Sequence, residues 1–91
     1  MRPERHQPSV SAVRCEALFV SALQRSEQPD ACQVRRAVAA AMRQYGGCGC
    51  AAQVAQEYGE HPEIAAARMR WARGAVAEAF RRPPGRADRA A

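Results

Sequence analysis

The 91-residue chain has no lysine, only five aromatic residues and two histidines, and no long apolar segment. No apolar run approaches the ~20 residues that a membrane-spanning helix needs, and residues 1–6 lead into no signal-peptide pattern. We therefore expect a cytoplasmic protein with no membrane partner. In that compartment, its four cysteines are expected to be reduced thiols or metal ligands.

Alanine and arginine are the most abundant residues of the chain, with 21 and 14 residues respectively. Both residue types are strong helix formers, whereas the aromatic and β-branched residues that favour strands are few. A mass of 9.9 kDa leaves room for one small domain with a modest core. The composition therefore predicts a single all-α domain.

Positive charge is concentrated towards the end of the chain. The formal net charge of +5 divides into zero over residues 1–30, +1 over 31–60 and +4 over 61–91. A basic surface in the last third indicates a polyanion as a plausible partner.

Apolar periodicity predicts two helices in the first half of the chain. Residues 1–8 lack periodicity and are predicted to be a disordered arm. Apolar residues at three- and four-residue intervals then predict a helix over residues 9–24. Asp30 and Gln33 form a capping-box signature for a second helix, with Val34, Val38, Ala41 and Tyr45 on one stripe. We expect that helix to end at Gly46 and Gly47, where glycine can adopt the left-handed conformation.

Two further helices are predicted in the second half. A short third helix should run from Cys50 or Ala51 to Tyr58, bury Val54 and Ala55, and end at Gly59. Pro62 suits the first turn of a fourth helix. That helix carries an apolar stripe of Ala65, Met69, Ala72, Val76 and Phe80.

These elements predict a small four-helix domain over residues 9–80, with a helix-turn-helix formed by residues 50–58 and 62–80. Residues 81–91 combine arginine with prolines and lack core residues, so we predict a basic disordered tail.

The segment from Tyr45 to Phe80 resembles the helix-turn-helix of sigma-factor region 4 and related bacterial DNA-binding regulators. The resemblance is carried by Ala52-Gln53-Val54-Ala55, by Tyr58-Gly59 and by the run from Ile64 to Ala72. It implies binding of double-stranded DNA in transcriptional regulation. Ala55 would lie where the two helices cross, and Gly59 would permit the turn.

The resemblance places the fourth helix against DNA. Arg68, Arg70 and Arg73 would contact backbone phosphates, while Ala66 and Ala67 would face the major groove. Because alanine and Glu63 stand where side chains that read base edges are expected, we predict salt-sensitive binding with limited sequence discrimination. The alternative is a helical adaptor that binds a protein partner, or a second copy of itself, through Ile64 and Trp71.

The cysteines leave a smaller set of hypotheses open. Cys48 and Cys50 could form a redox-sensing pair, because a thiol at the start of the third helix would have a lowered pKa. Cys15 and Cys32 are expected to pack as small apolar residues, and the cysteine spacing does not indicate a metal site. His6 and His61 have no nucleophile and orienting acid in a suitable arrangement, so no enzyme activity and no cofactor are expected.

Overall fold

The computed structural model describes residues 9–81, which form three helices and no strand. Helix α1 spans Val10–Val20, α2 spans Ala31–Glu60 and α3 spans Pro62–Ala79, with a short 3-10 helix at Arg25–Glu27. The predicted all-α class is confirmed, but the predicted count of four helices is not. The predicted arm at residues 1–8 and tail residues 82–91 lie outside the described residues.

Helix α1 begins where predicted and ends earlier. The Ser9 side chain accepts a hydrogen bond from the Ala12 amide and so caps the helix. The helix ends at Val20, because Ser21 takes an extended conformation and its hydroxyl donates to the Leu18 carbonyl at 2.7 Å. The predicted extension to residue 24 is therefore wrong, and Ala22 is exposed.

Helix α2 starts at the predicted capping box. The Gln33 amide donates to the Asp30 carboxylate at 2.8 Å, and the Asp30 amide donates to the Gln33 side chain at 2.9 Å. The predicted stripe of Val34, Val38 and Ala41 is buried, whereas Tyr45 remains partly exposed.

Gly46 divides α2 into two helical segments, at the glycine where the sequence predicts the helix to end. Its backbone has φ 70° and ψ 171°, and it is the one non-helical residue between Ala31 and Glu60. Helical conformation resumes at Gly47, so the first half of α2 (residues 31–45) meets the second half (residues 47–60) at a kink. The predicted interruption at Gly46 is confirmed, but the helical segment after it begins at Gly47 rather than at Cys50 or Ala51.

The junction between α2 and α3 also differs from the predicted turn. Gly59 is helical and exposed, and His61 is the one non-helical residue between the two helices. Ala55, expected at a close helix crossing, is exposed. The predicted helix-turn-helix is therefore not confirmed, since neither its turn nor its crossing residue has the expected environment.

Helix α3 agrees with its sequence pattern. Pro62 occupies the first turn, and the stripe is buried except for Phe80, which is half-buried at the end of the helix. All three helices pack against one another. Fourteen buried apolar residues form one core, and most are alanine, valine or cysteine, which lets the helices approach closely. No helix within residues 9–81 is long and apolar enough to cross a membrane.

Candidate interaction surfaces of α3

The N-terminal end of α3 combines exposed apolar side chains with negative charge. Ile64 is 67% exposed, although it is one of the larger apolar residues of the chain. Tyr58 is 37% exposed, and its ring stacks on Phe19 with the centroids 6.3 Å apart. Three exposed or half-exposed carboxylates lie on the residues around this corner, which we call the acidic rim: Glu57, Glu60 and Glu63.

A groove of about 400 Å³ opens beside Ile64, between the end of α1, the second half of α2 and the start of α3. We call it the Ile64 groove. The Gln56 side chain, which lines the groove, donates to the Glu60 carboxylate at 3.2 Å and so holds that charge near the edge. The groove is lined by Phe19, Val20, Gln53, Gln56, Glu57, Ile64, Ala65 and Arg68.

Arg68 forms one wall of the groove and holds α1 to α3. Its Nε donates to the Phe19 carbonyl at 2.7 Å, and one terminal nitrogen lies 3.0 to 3.4 Å from further carbonyl oxygens. Burial lowers the pKa of Arg68 from its ordinary value. These bonds use Nε and Nη2 and involve the carbonyls of Leu18, Phe19, Ser21 and Leu23, so most of the donors of Arg68 point to the end of α1.

Trp71 lies on the far side of Arg68 from Ile64. The Arg68 guanidinium is 5.0 Å from the Trp71 ring centroid and 5.8 Å from that of Phe19, so the cation lies within reach of both aromatic rings. Trp71 is half-buried and packs against the core, and it lines a separate hollow with Arg25 and Arg70. Ile64 and Trp71, predicted together as a partner surface, therefore line different hollows.

The two remaining predicted phosphate contacts are exposed. Arg70 lines the Trp71 hollow, which Glu78 also lines, and Arg73 lies nearer the start of α1, beside Cys15 and Glu16. Within residues 9–81 the side chains of these two arginines make no hydrogen bond and no ion pair. Ala66 and Ala67, predicted to face the major groove, are half-buried.

The cysteines do not match the predicted reactive pair. Cys50 is 0% exposed, and its Sγ lies 3.9 Å from the Ala41 carbonyl oxygen across the kink. Burial, with a contribution from the carboxylate of Glu16, raises the pKa of the Cys50 thiol, so the expectation of a lowered pKa is wrong. Cys48 is exposed.

The two remaining cysteines differ from each other. Cys15 is buried as predicted, whereas Cys32 is exposed and does not pack as a core residue. Among residues 9–81 no group of three or more His, Cys, Asp or Glu side chains could hold a metal ion.

Sequence reasoning missed the arginines that join one helix to another. Arg14 lies over the Phe80 ring at 3.9 Å, and Arg35 donates to the Ala79 carbonyl at 2.8 Å. These contacts join residues more than forty positions apart, so no local pattern marks them. Helical periodicity placed the arginines outside the core but could not show which of them reach a neighbouring helix.

Comparison with protein-family models, with curated proteins and with solved structures finds no match to this chain.

Proposed function

We propose that this protein is a helical interaction module that binds a basic amphipathic helix of a partner protein in the Ile64 groove. The observation that carries this proposal is the 67% exposure of Ile64 at the edge of a groove that Glu57 lines, with Glu60 and Glu63 on neighbouring residues. Ile64 shares the lining of the groove with Val20, and an apolar patch bordered by polar residues is typical of a contact surface.

The chemistry of the groove selects the kind of partner. Phe19, Val20 and Ile64 offer apolar contact, and Gln53 and Gln56 offer hydrogen bonds. The acidic rim favours arginine or lysine next to the apolar anchor of the partner and disfavours an acidic segment. A groove between helices that receives one apolar helix face is a common mode of peptide recognition.

Substitution of Ile64 tests the proposal. A photo-crosslinking amino acid at position 64 identifies candidate partners in cells, and each candidate is then purified for calorimetry. Ile64→Asp is expected to weaken binding roughly tenfold or more, because it places a charge against the apolar anchor. Val10 is similarly exposed at 64% but lies away from the groove, so Val10→Asp is the matched control. Equal affinity of the Ile64→Asp variant and the wild type for every purified candidate would refute the proposal.

A second candidate function is regulation of transcription through binding of double-stranded DNA. It is favoured by the exposed Arg70 and Arg73 on α3, with Arg25 beside Arg70. Insertion of the N-terminal end of α3 into the major groove is disfavoured, because the acidic rim would approach the phosphates. Binding would therefore use the middle of α3 and phosphate contacts.

A salt titration with random duplex DNA tests this second function. Replacement of Arg70 and Arg73 by alanine is expected to lower affinity and to reduce the dependence of log K on log salt by about 2, at about 0.9 for each phosphate contact removed. Replacement of Arg36 and Arg43, which are exposed on α2, removes the same charge and serves as the control. Absence of duplex binding at low salt would exclude the DNA-binding function.

A further inference from the structure

One glycine determines the bend of the longest helix. Gly46, with φ 70° and ψ 171°, occupies a backbone region that is essentially restricted to glycine. Every other residue of α2 is helical. A change at this single residue to helical dihedrals would convert α2 into one straight helix of about 45 Å.

The interactions that close the domain join the two sides of this kink. Residues 9–45 lie before Gly46, and residues 47–81 lie after it. The Cys50 thiol meets the Ala41 carbonyl, Arg68 donates to four carbonyls at the end of α1, and Arg35 donates to Ala79. Each of these interactions joins a residue before Gly46 to a residue after it. Straightening of α2 would therefore break all of them within one chain.

We propose that Gly46 is a hinge through which two copies of this chain exchange residues 47–81 and form a domain-swapped dimer. In that dimer α2 is continuous, and each interaction that straightening breaks within one chain forms again with the second copy. Exchange of identical elements is a low-cost route to dimers, since the interface already exists in the monomer. The remaining cost lies mainly in the hinge, where glycine tolerates both conformations.

The exchange would also divide the Ile64 groove between two chains. Phe19 and Val20 lie before the hinge, whereas Ile64 and Arg68 lie after it. A swapped dimer therefore holds two grooves, each built from both copies, with Arg68 of one copy capping α1 of the other. The proposal concerns the assembly of the chain and holds whether or not the groove binds a partner.

Substitution of Gly46 tests the hinge without disturbing packing. A Cβ at Gly46 meets no atom within 4 Å, so Gly46→Ala acts on the backbone dihedrals alone. Alanine disfavours the kinked conformation and favours the straight helix. At equal protein concentration, light scattering after size exclusion is expected to show a dimer fraction at least roughly tenfold higher for Gly46→Ala than for the wild type. The matched control is Gly47→Ala, which is helical with nothing within 4 Å of its Cβ and should behave as the wild type.

Dilution distinguishes a swapped dimer from one formed by surface contact. A swapped dimer must unfold partly to dissociate, so the Gly46→Ala dimer should persist for hours after dilution and should dissociate faster in mild denaturant. A folded monomeric Gly46→Ala variant, or a dimer that dissociates at once on dilution, would overturn the proposal. If Gly46→Ala does not fold, the wild type refolded from denaturant at millimolar concentration must yield the persistent dimer, and its absence would equally overturn the proposal.

Discussion

At the scale of single residues, Arg68 illustrates how a charged side chain can be part of a small core. The carbonyls at the end of an α-helix have no partner within the helix. From α3, Arg68 supplies donors to the carbonyls of Leu18 and Phe19 in the last turn of α1 and of Ser21 and Leu23 just after it. Its guanidinium also lies near two aromatic rings. The family resemblance makes Arg68 a phosphate contact, whereas its surroundings make it a link between helices.

Loss of this link is expected to destabilise the domain. Arg68→Ala should lower the free energy of unfolding by about 2 to 4 kcal/mol, because hydrogen bonds from a charged donor to the carbonyls of Phe19, Ser21 and Leu23 are lost. Arg68→Lys should recover only part of this, since lysine lacks the planar fork of donors. Urea unfolding measures both variants, with the exposed Arg70→Ala as control. An equal effect of Arg68→Ala and Arg70→Ala would contradict this role.

Cys50 makes stability depend on pH in the alkaline range. Its pKa is raised in the folded state by burial, whereas the unfolded thiol titrates near its ordinary value of about 8.5. The folded state therefore retains its proton to higher pH than the unfolded state does. The contribution of Cys50 is fully present below the unfolded pKa and is lost as pH rises through the folded pKa.

We expect the free energy of unfolding to fall as pH rises above roughly 8, and to fall less steeply in Cys50→Ala. Urea unfolding at a series of pH values gives the two slopes. Cys48→Ala provides the control, since Cys48 is exposed. Identical slopes for Cys50→Ala and the wild type would show that burial of this thiol does not govern the alkaline response.

At the scale of elements, the glycines of α2 have opposite roles. Gly46 requires a positive φ, whereas Gly59 is helical, exposed and has nothing within 4 Å of a built Cβ. A glycine that ends a helix or makes a turn would resist substitution by alanine, but a glycine inside a helix would not.

Gly59→Ala is therefore expected to stabilise the protein by about 0.5 kcal/mol, since alanine restricts the unfolded chain and favours the helix. Thermal unfolding followed by circular dichroism measures the change, and Gly47→Ala offers a second helical position for comparison. A clear loss of stability in Gly59→Ala would instead support the turn that the sequence pattern predicts.

At the scale of the whole molecule, three helices share one core made largely of small residues. Leu18 is the largest of the fully buried side chains, and it lies in α1 against a cluster that includes residues of both other helices. A small domain has little stability in reserve, so one core cavity affects all three helices together.

Leu18→Ala is expected to cost about 2 to 5 kcal/mol and to leave much of the protein unfolded at 37 °C. Far-ultraviolet circular dichroism against temperature checks this outcome. The exposed Val10→Ala variant, also in α1, should change stability by no more than about 0.5 kcal/mol. A Leu18→Ala variant that melts with the wild type would mean that α1 contributes little to the common core.

Local signals predicted those parts of the fold that depend on neighbouring residues in the chain. Asp30 and Gln33 are three positions apart, so the two hydrogen bonds of their capping box depend only on residues at the start of α2. The position of Pro62 and the apolar stripe that follows it likewise depend on local sequence alone. The candidate site was predicted only in part: Ile64 was identified, but its groove is formed with Phe19 and Val20 of another helix.

Propensity and periods of three to four residues were enough to establish that this chain is helical, where its capped helices begin and which stripes enter the core. The break at Gly46 was predicted from the sequence, whereas tertiary packing was needed to establish that Gly59 remains within a helix, that Arg68 donates hydrogen bonds to the end of α1, and that Cys50 is buried. Glycine permits several backbone conformations, and the long arginine side chain can reach several partners. The local sequence does not distinguish between these conformations and partners, so packing between the helices determines which of them form.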